Sequence, residues 1–297
     1  MLVDAVTIGS ILTRTSGYLD GIASHSLQPY RGCSLGRSLC GVGCYVQHAR
    51  HLTGGRAWGS FLDARTNAAD AYLAQADRER RWARRARGRF GVFFSSATEP
   101  FPPQEMRWGI SRAVLSAMRE SPPDALIVQT HSDRVSGFAP LLVELSRCCE
   151  LRVHLSIETD RERLPGLPGH ASPIDRRFEA AALLRASGLF VVVTVAPLLP
   201  IADPDRFFSR IGAVADAVVI DHFIGGDGSS NGSRTRRTGL PGAMAALDPG
   251  SVTIHYRDRM AEVAERYLPG RVGLGRDGFA GRWIGVGSAG WGGPMVG

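Results

Sequence analysis

The chain contains no lysine. All 35 basic residues among its 297 are arginine, set against 28 acidic residues, for a net charge of +7. A bias that complete belongs to the whole composition, and it weakens arginine enrichment as a sign of function. No apolar run reaches the roughly 18 residues that a membrane-spanning helix needs, so no membrane partner is expected. No basic stretch followed by an apolar core marks a secretory signal. No G-x-G-x-x-G follows the first strand-like segment, which argues against a dinucleotide-binding sheet. Cysteine is scarce. Five thiols, an odd number with two adjacent, suit a reducing compartment and not a disulfide framework. A cytoplasmic location is the expectation.

What is present is a concentration of those cysteines. Cys33, Cys40 and Cys44 fall within the stretch Tyr30 to Tyr45, in a C-x6-C-x3-C pattern. Three neighbouring thiolates suit a metal centre that keeps one position open. Gly32, Gly36, Gly41 and Gly43 give the backbone the freedom to turn between them. His48 follows Cys44 by four residues and could complete a closed zinc site instead. Cys148 and Cys149 lie far away, at the end of an expected helix, and read as buried core thiols.

Beyond the cysteines the chain alternates apolar runs with helical patterns. Residues 61–87 read as helical and 90–96 as a buried strand. A helix is expected over 105–120, where Met106, Ile110, Val114 and Met118 recur at four-residue spacing. Strand 125–130, helix 136–149, strand 151–157 and helix 174–187 follow, the last closed by Gly188. Strand 189–195, helix 204–214 and strand 217–220 continue the pattern. With the short run before Cys33 this makes six strand-then-helix units of roughly 30 residues. They imply an α/β fold with a parallel sheet and right-handed crossovers. A barrel or an open doubly wound sheet would fit.

In either case the working residues lie at the C-terminal ends of the strands. Those ends carry Cys33, then Ser96, Thr98 and Glu99, then Thr130 and His131, then Glu158, Pro197, Asp221 and His222. Polar groups therefore gather on the rim that holds the cysteine loop.

Short motifs in the same order resemble the radical S-adenosylmethionine (SAM) superfamily, in the branch similar to spore photoproduct lyase and the "DNA repair photolyase" relatives. Gln28-Pro29-Tyr30-Arg31-Gly32-Cys33 resembles its Asn-Pro-Tyr-Arg-Gly-Cys opening. Thr98-Glu99-Pro100-Phe101-Pro102-Pro103-Gln104-Glu105 is similar to its Thr-Asp-Pro-Tyr-Gln-Pro-x-Glu element. Thr130-His131 stands where the branch has Thr-Lys, and Ser156-Ile157-Glu158-Thr159 matches Ser-x-x-Thr. Ala171-Ser172-Pro173 with Arg177, and Ala196 to Asp203, resemble two further elements. The departure is the loop. The usual spacing is C-x3-C-x2-C with an aromatic residue before the third cysteine, where this chain has Gly43. Tyr45 keeps the aromatic that follows the third cysteine in this branch.

The resemblance implies a partial (β/α)6 TIM-like barrel and a radical SAM enzyme, with lyase chemistry as one version. Cys33, Cys40 and Cys44 would hold three irons of a [4Fe-4S] cluster, and SAM would chelate the fourth. Reductive cleavage of SAM would give a 5′-deoxyadenosyl radical that abstracts hydrogen from an unidentified substrate. Tyr45, Thr98, Glu99, Glu158 and Arg177 become candidates for contacts to SAM. For Arg177 a surface position on its helix is the plainer reading. A ferredoxin or flavodoxin would supply the electron, and nucleic acid is a candidate substrate. The organisation expected is an N-terminal extension over 1–24, the barrel core over 25–223, and a C-terminal loop and accessory segment over 224–297. The competing reading is a non-enzymatic barrel that carries zinc or a cluster and binds nucleic acid. The dense run Arg78, Arg80, Arg81, Arg84, Arg85, Arg87 and Arg89 could neutralise phosphates, or could be a solvated helix face balanced by Asp77 and Glu79.

Overall fold

The structure, a computed structural model, describes residues 1–285. Its strands in chain order are β1 Leu2–Val6, β2 Leu12–Arg14, β3 His25–Leu27, β4 Tyr30–Gly32, β5 Phe61–Arg65 and β6 Gly91–Phe94. They continue as β7 Ala125–Thr130, β8 Glu150–Ser156, β9 Phe190–Val195, β10 Ala217–Ile220 and β11 Val272–Leu274. One curved sheet runs in the order β11-β10-β9-β8-β7-β6-β3-β2. Every neighbouring pair in it is parallel except β2 with β3. The six expected strands are all present, and β11 adds a seventh parallel one.

The apolar runs become strands because both faces of each are buried. Phe94, Val128, Val153, Val193 and Ile220 face the helices and join Val114, Leu142, Phe178 and Phe207 in one core. The alternate residues Phe93, Ile127, Val192 and Val219 face the barrel interior, where Phe279 closes over them. Fully burying each such side chain is worth about 1.5–3 kcal/mol, so the sheet holds its helices firmly and the rim loops are free to vary.

The helices fall close to their expected places, with instructive breaks. The Ala68–Arg87 helix ends at Gly88, whose φ of +77° is open to glycine. The Ile174–Ala186 helix ends in the same way, at Gly188 with φ +83°. The expected helix over 105–120 is interrupted at Gly109 (φ +61°) and splits into Glu105–Trp108 and Ile110–Glu120. Residues 61–65 are not helical. They form β5, which pairs parallel with β1 and antiparallel with β4 in a small second sheet. The stretch read as a long loop after residue 223 contains the Leu240–Leu247 helix. The expected accessory segment includes β11 and the short Gly275–Phe279 helix; residues beyond 285 lie outside the described residues.

The arginine-rich helix is largely neutralised. Arg80 pairs with Asp77 (2.5 Å), Arg84 with Asp124 (2.6 Å), Arg78 with Glu79 (2.9 Å) and Arg89 with Glu150 (3.4 Å), and Arg87 pairs with Asp20. Exposed pairs of this kind add little stability, but they reduce the charge left to attract phosphates. Cys148 is exposed and Cys149 half-buried, so the pair does not form the core thiols expected of it. The helix before them stops at Ser146 and leaves Cys148 at the surface.

Candidate active site

The cysteine loop hangs from β4, which leaves the main sheet just after β3. Tyr30 anchors it. Its ring is fully buried and its hydroxyl donates to the Glu105 carboxylate. Glu105 in turn accepts the backbone N–H groups of Ser111 (3.0 Å) and Arg112 (2.9 Å), at the start of the next helix. The two ends of the resemblance motifs thus meet as one structural brace. Gln28 braces the neighbouring loop. Its amide donates to Ser96 (2.8 Å) and accepts from the Thr98 hydroxyl (3.0 Å), which also lies 3.3 Å from the Tyr30 carbonyl. Thr98 lines the cavity with its hydroxyl already engaged in holding the loop.

The long loop packs backbone on backbone. A Cβ on Gly41 would sit 2.2 Å from the Gly36 Cα, and one on Gly36 would sit 2.3 Å from the Gly59 Cα. Real side chains do not tolerate such distances, so glycine is what lets the extra residues fold up. Cys33, Cys40 and Cys44 line one cavity of about 370 Å³ at the C-terminal ends of the strands. Cys33 is buried and the other two are half-buried. Burial raises the Cys33 thiol well above its ordinary range, and the neighbouring Cys40 and Cys44 raise it further. Burial and Cys40 push Cys44 up to about 12. Cys33 and Cys44 therefore hold their protons until a cation replaces them.

Among the described residues, no three His, Cys, Asp or Glu side chains are grouped so that they could hold one metal ion. A closed zinc site requires ligands converging on a single point, whereas cluster thiolates each reach their own iron. Cys33, Cys40 and Cys44 share one cavity, and thiols are the donor type that clusters take. His48, the candidate fourth zinc ligand, is not among the residues lining that cavity.

The rim beside the thiols carries a buried network. Glu99 accepts from the Thr130 hydroxyl (2.6 Å) and from the backbone N–H groups of Phe101 and His131 (both 2.9 Å). Burial raises its carboxyl above the ordinary range despite these bonds. Glu158 lies 2.7 Å from His131 Nδ1 and accepts from Arg177 Nη1 at 2.7 Å. Burial alone would raise the Glu158 carboxyl, but Arg177 and His131 overcome it and hold the group well below the usual carboxylate range. His131 also lies within electrostatic reach of Cys40. Burial would lower its pKa, yet Cys40 and Glu158 together raise it well above the ordinary value.

Glu99, His131, Glu158 and Tyr45 all line the cavity. Arg177 does not. It is 1% exposed, contrary to the surface position expected, and its guanidinium is spent on Glu158, the Ser156 carbonyl (2.7 Å) and His170 (3.0 Å). It positions Glu158 from behind.

Several cavity residues carry no local signal. Tyr18 comes from the N-terminal segment, and its hydroxyl donates to Asp221 at 2.8 Å across 203 residues of sequence. Ser95, Gln129 and Phe279 also line the cavity. An interior position at the second residue from a strand end is the signal that could have found Ser95 and Gln129. His222, expected on the rim, is there, with Nε2 against the Ser251 carbonyl (2.9 Å) and Nδ1 accepting from the Ile224 N–H (3.1 Å).

The fold is a partial β/α barrel similar to that of spore photoproduct lyase. The solved structures to which it is similar include forms of this lyase. A form of that enzyme with a dinucleoside spore photoproduct has a TM-score of 0.61 at 15% identity, covering 92% of this chain and 81% of that chain. A second, with bound AdoMet and the dinucleoside photoproduct, has a TM-score of 0.61 at 13% identity with the same coverage of 92% and 81%. No family model and no curated protein matches the chain. At this identity the likeness establishes the fold, and the site must carry the chemistry.

Proposed function

We propose that the chain is a radical SAM enzyme that holds a [4Fe-4S] cluster on Cys33, Cys40 and Cys44. The observation that carries this reading is that three thiols far from any other cysteine line one cavity on the catalytic rim of a partial barrel. When bound, the cluster and SAM supply a one-electron reductive cleavage that yields a 5′-deoxyadenosyl radical. The protein's own residues bind, orient and exclude water. The glycine-packed loop presents the thiols. Glu158, ionised and fixed by Arg177, is placed to accept hydrogen bonds from SAM. Glu99, Thr98 and Tyr45 complete that wall of the cavity. The apolar side chains Phe93, Leu199 and Phe279 keep the remaining space dry.

The two solved neighbours contain a dinucleoside photoproduct, which supports a substrate derived from nucleic acid. A small reducing protein such as a ferredoxin or flavodoxin would supply the electron. Lyase chemistry on DNA is the version closest to the neighbours. Reconstitution without oxygen tests the reading. The expected product is a brown protein with about four irons per chain that bleaches with dithionite and releases 5′-deoxyadenosine from SAM. Colourless protein holding one zinc ion would refute it.

A further inference from the structure

Two polar groups on the barrel wall face the cavity without a partner. Ser95 follows β6. It is 3% exposed, its hydroxyl has no hydrogen-bond partner, and its φ of +70° is the one left-handed value at a non-glycine residue among the described residues. Its backbone N–H donates to the Leu27 carbonyl at 2.8 Å, which holds the conformation in place. An unpartnered buried hydroxyl and a left-handed serine both cost stability. Their coincidence at a strand end beside a cavity points to a ligand.

Gln129 lies on the adjacent strand. The β6–β7 pairing ends at Phe94 with Val128, and Ser95 and Gln129 are the residues that follow on the two segments. Gln129 Nε2 donates to the hydroxyls of Ser156 (2.8 Å) and Thr194 (3.1 Å), which bond each other at 2.9 Å. This ladder across three strands fixes the amide and leaves Oε1 as a buried acceptor with no partner. Both residues line the cavity, together with the aromatic residues Phe93, Tyr18 and Phe279.

We propose that Ser95 and Gln129 form a specificity subsite for a planar cyclic amide in the substrate, whose N–H donates to Gln129 and whose carbonyl accepts from Ser95. An acceptor beside a hydroxyl matches that edge, and the aromatic walls match a ring. The proposal deepens the enzymatic reading of the same cavity and rests on it for the word substrate.

The test measures calorimetric binding of uridine and of N3-methyluridine, which lacks the N–H, to the reconstituted protein. Uridine should bind about tenfold more tightly than its methylated analogue. Gln129→Met and Ser95→Gly should each lose about tenfold in uridine affinity. Ser95→Gly should at the same time raise Tm by about 2 °C, because strain and an orphan hydroxyl are removed. Equal binding of the two nucleosides, binding of neither, or an undiminished preference in Gln129→Met overturns the subsite. So does a tenfold loss of SAM affinity in Gln129→Met with uridine binding intact, since the pair would then read SAM. Iron content and 5′-deoxyadenosine release are measured on the same preparations. Discrimination without a cluster keeps the binding site and refutes the enzymatic reading, whereas turnover of SAM without discrimination refutes the subsite alone.

Discussion

Asp221 should make the protein lose stability as the pH rises through the mildly acidic range. Its carboxyl follows β10, is 8% exposed, and accepts from Tyr18. Burial raises it from the ordinary 3.8 to about 6; Tyr18 and Arg257 pull it down and Asp227 pushes it up, but burial wins. The unfolded chain ionises first, so the group's contribution is fully present below pH 4 and is lost as the pH climbs through 6. At 1.36 kcal/mol per unit, the roughly two-unit gap is worth about 3 kcal/mol, most of it between pH 4 and 8. Asp221→Asn removes the ionisation and keeps an oxygen for the Tyr18 hydroxyl. The variant should therefore gain about 2–3 kcal/mol on the parent between pH 4 and 8, or roughly 5–10 °C in Tm. Thermal unfolding of both proteins across that range reads it directly. Curves that stay parallel would show that the Asp221 carboxyl is solvated and that the Tyr18 contact does not seal this wall of the cavity.

Three further outcomes are expected. Cys33→Ala, Cys40→Ala and Cys44→Ala should each abolish iron binding on reconstitution, whereas Cys148→Ala, at the surface, should keep a full complement; iron retained by the first three would sink the ligand assignment. Glu158→Gln should destabilise the fold by about 3–5 kcal/mol in chemical denaturation, because it leaves the 1% exposed Arg177 without its buried anion; a loss under 1 kcal/mol would mean the pair is hydrated. Gly41→Ala should lower iron content sharply with little change in Tm, since its Cβ would strike the Gly36 backbone at 2.2 Å in a rim loop rather than in the core; normal iron loading would show that the loop can re-fold around the added methyl.

The barrel was legible because a parallel strand covered on both faces is apolar at nearly every position. Val191 to Val195 and Ala217 to Ile220 can be little else, and Gly and Pro mark where they stop. Strand β5 was illegible for the opposite reason. Phe61-Leu62-Asp63-Ala64-Arg65 carries a buried Asp63, made tolerable by Arg56 Nη1 at 2.8 Å, and in sequence such a segment reads as helix. Strand β11 is short and contains Gly273, which lies where a Cβ would be 2.4 Å from the Gly278 Cα, a contact no composition rule anticipates. The rim positions of Glu99, His131 and Glu158 followed from counting to strand ends. Arg177 did not, because a helix arginine is ordinarily at the surface, and only its partners reveal why this one is inside. Tyr18 was hidden by the 203 residues that separate it from Asp221.

The stretched cysteine loop and the histidine at position 131 belong to one arrangement. The spacing C-x6-C-x3-C adds length that only the Gly36, Gly41 and Gly59 contacts can fold away. Folded this way, the Leu39–Gly43 turn brings Cys40 against His131. The resembled branch has a lysine here, a single flexible point charge with no acceptor. An imidazole is rigid and has two separate nitrogens. His131 uses Nδ1 on Glu158 at 2.7 Å and sits within electrostatic reach of Cys40, so imidazole, carboxylate and the Arg177 guanidinium form a hydrogen-bonded chain that runs from beside the loop into the barrel wall. Lysine at this position keeps a cation beside Glu158 but offers no second nitrogen on a rigid ring to face Cys40 as well. The change of residue and the change of loop length are therefore coupled through Cys40, and substitutions at the two places should be non-additive.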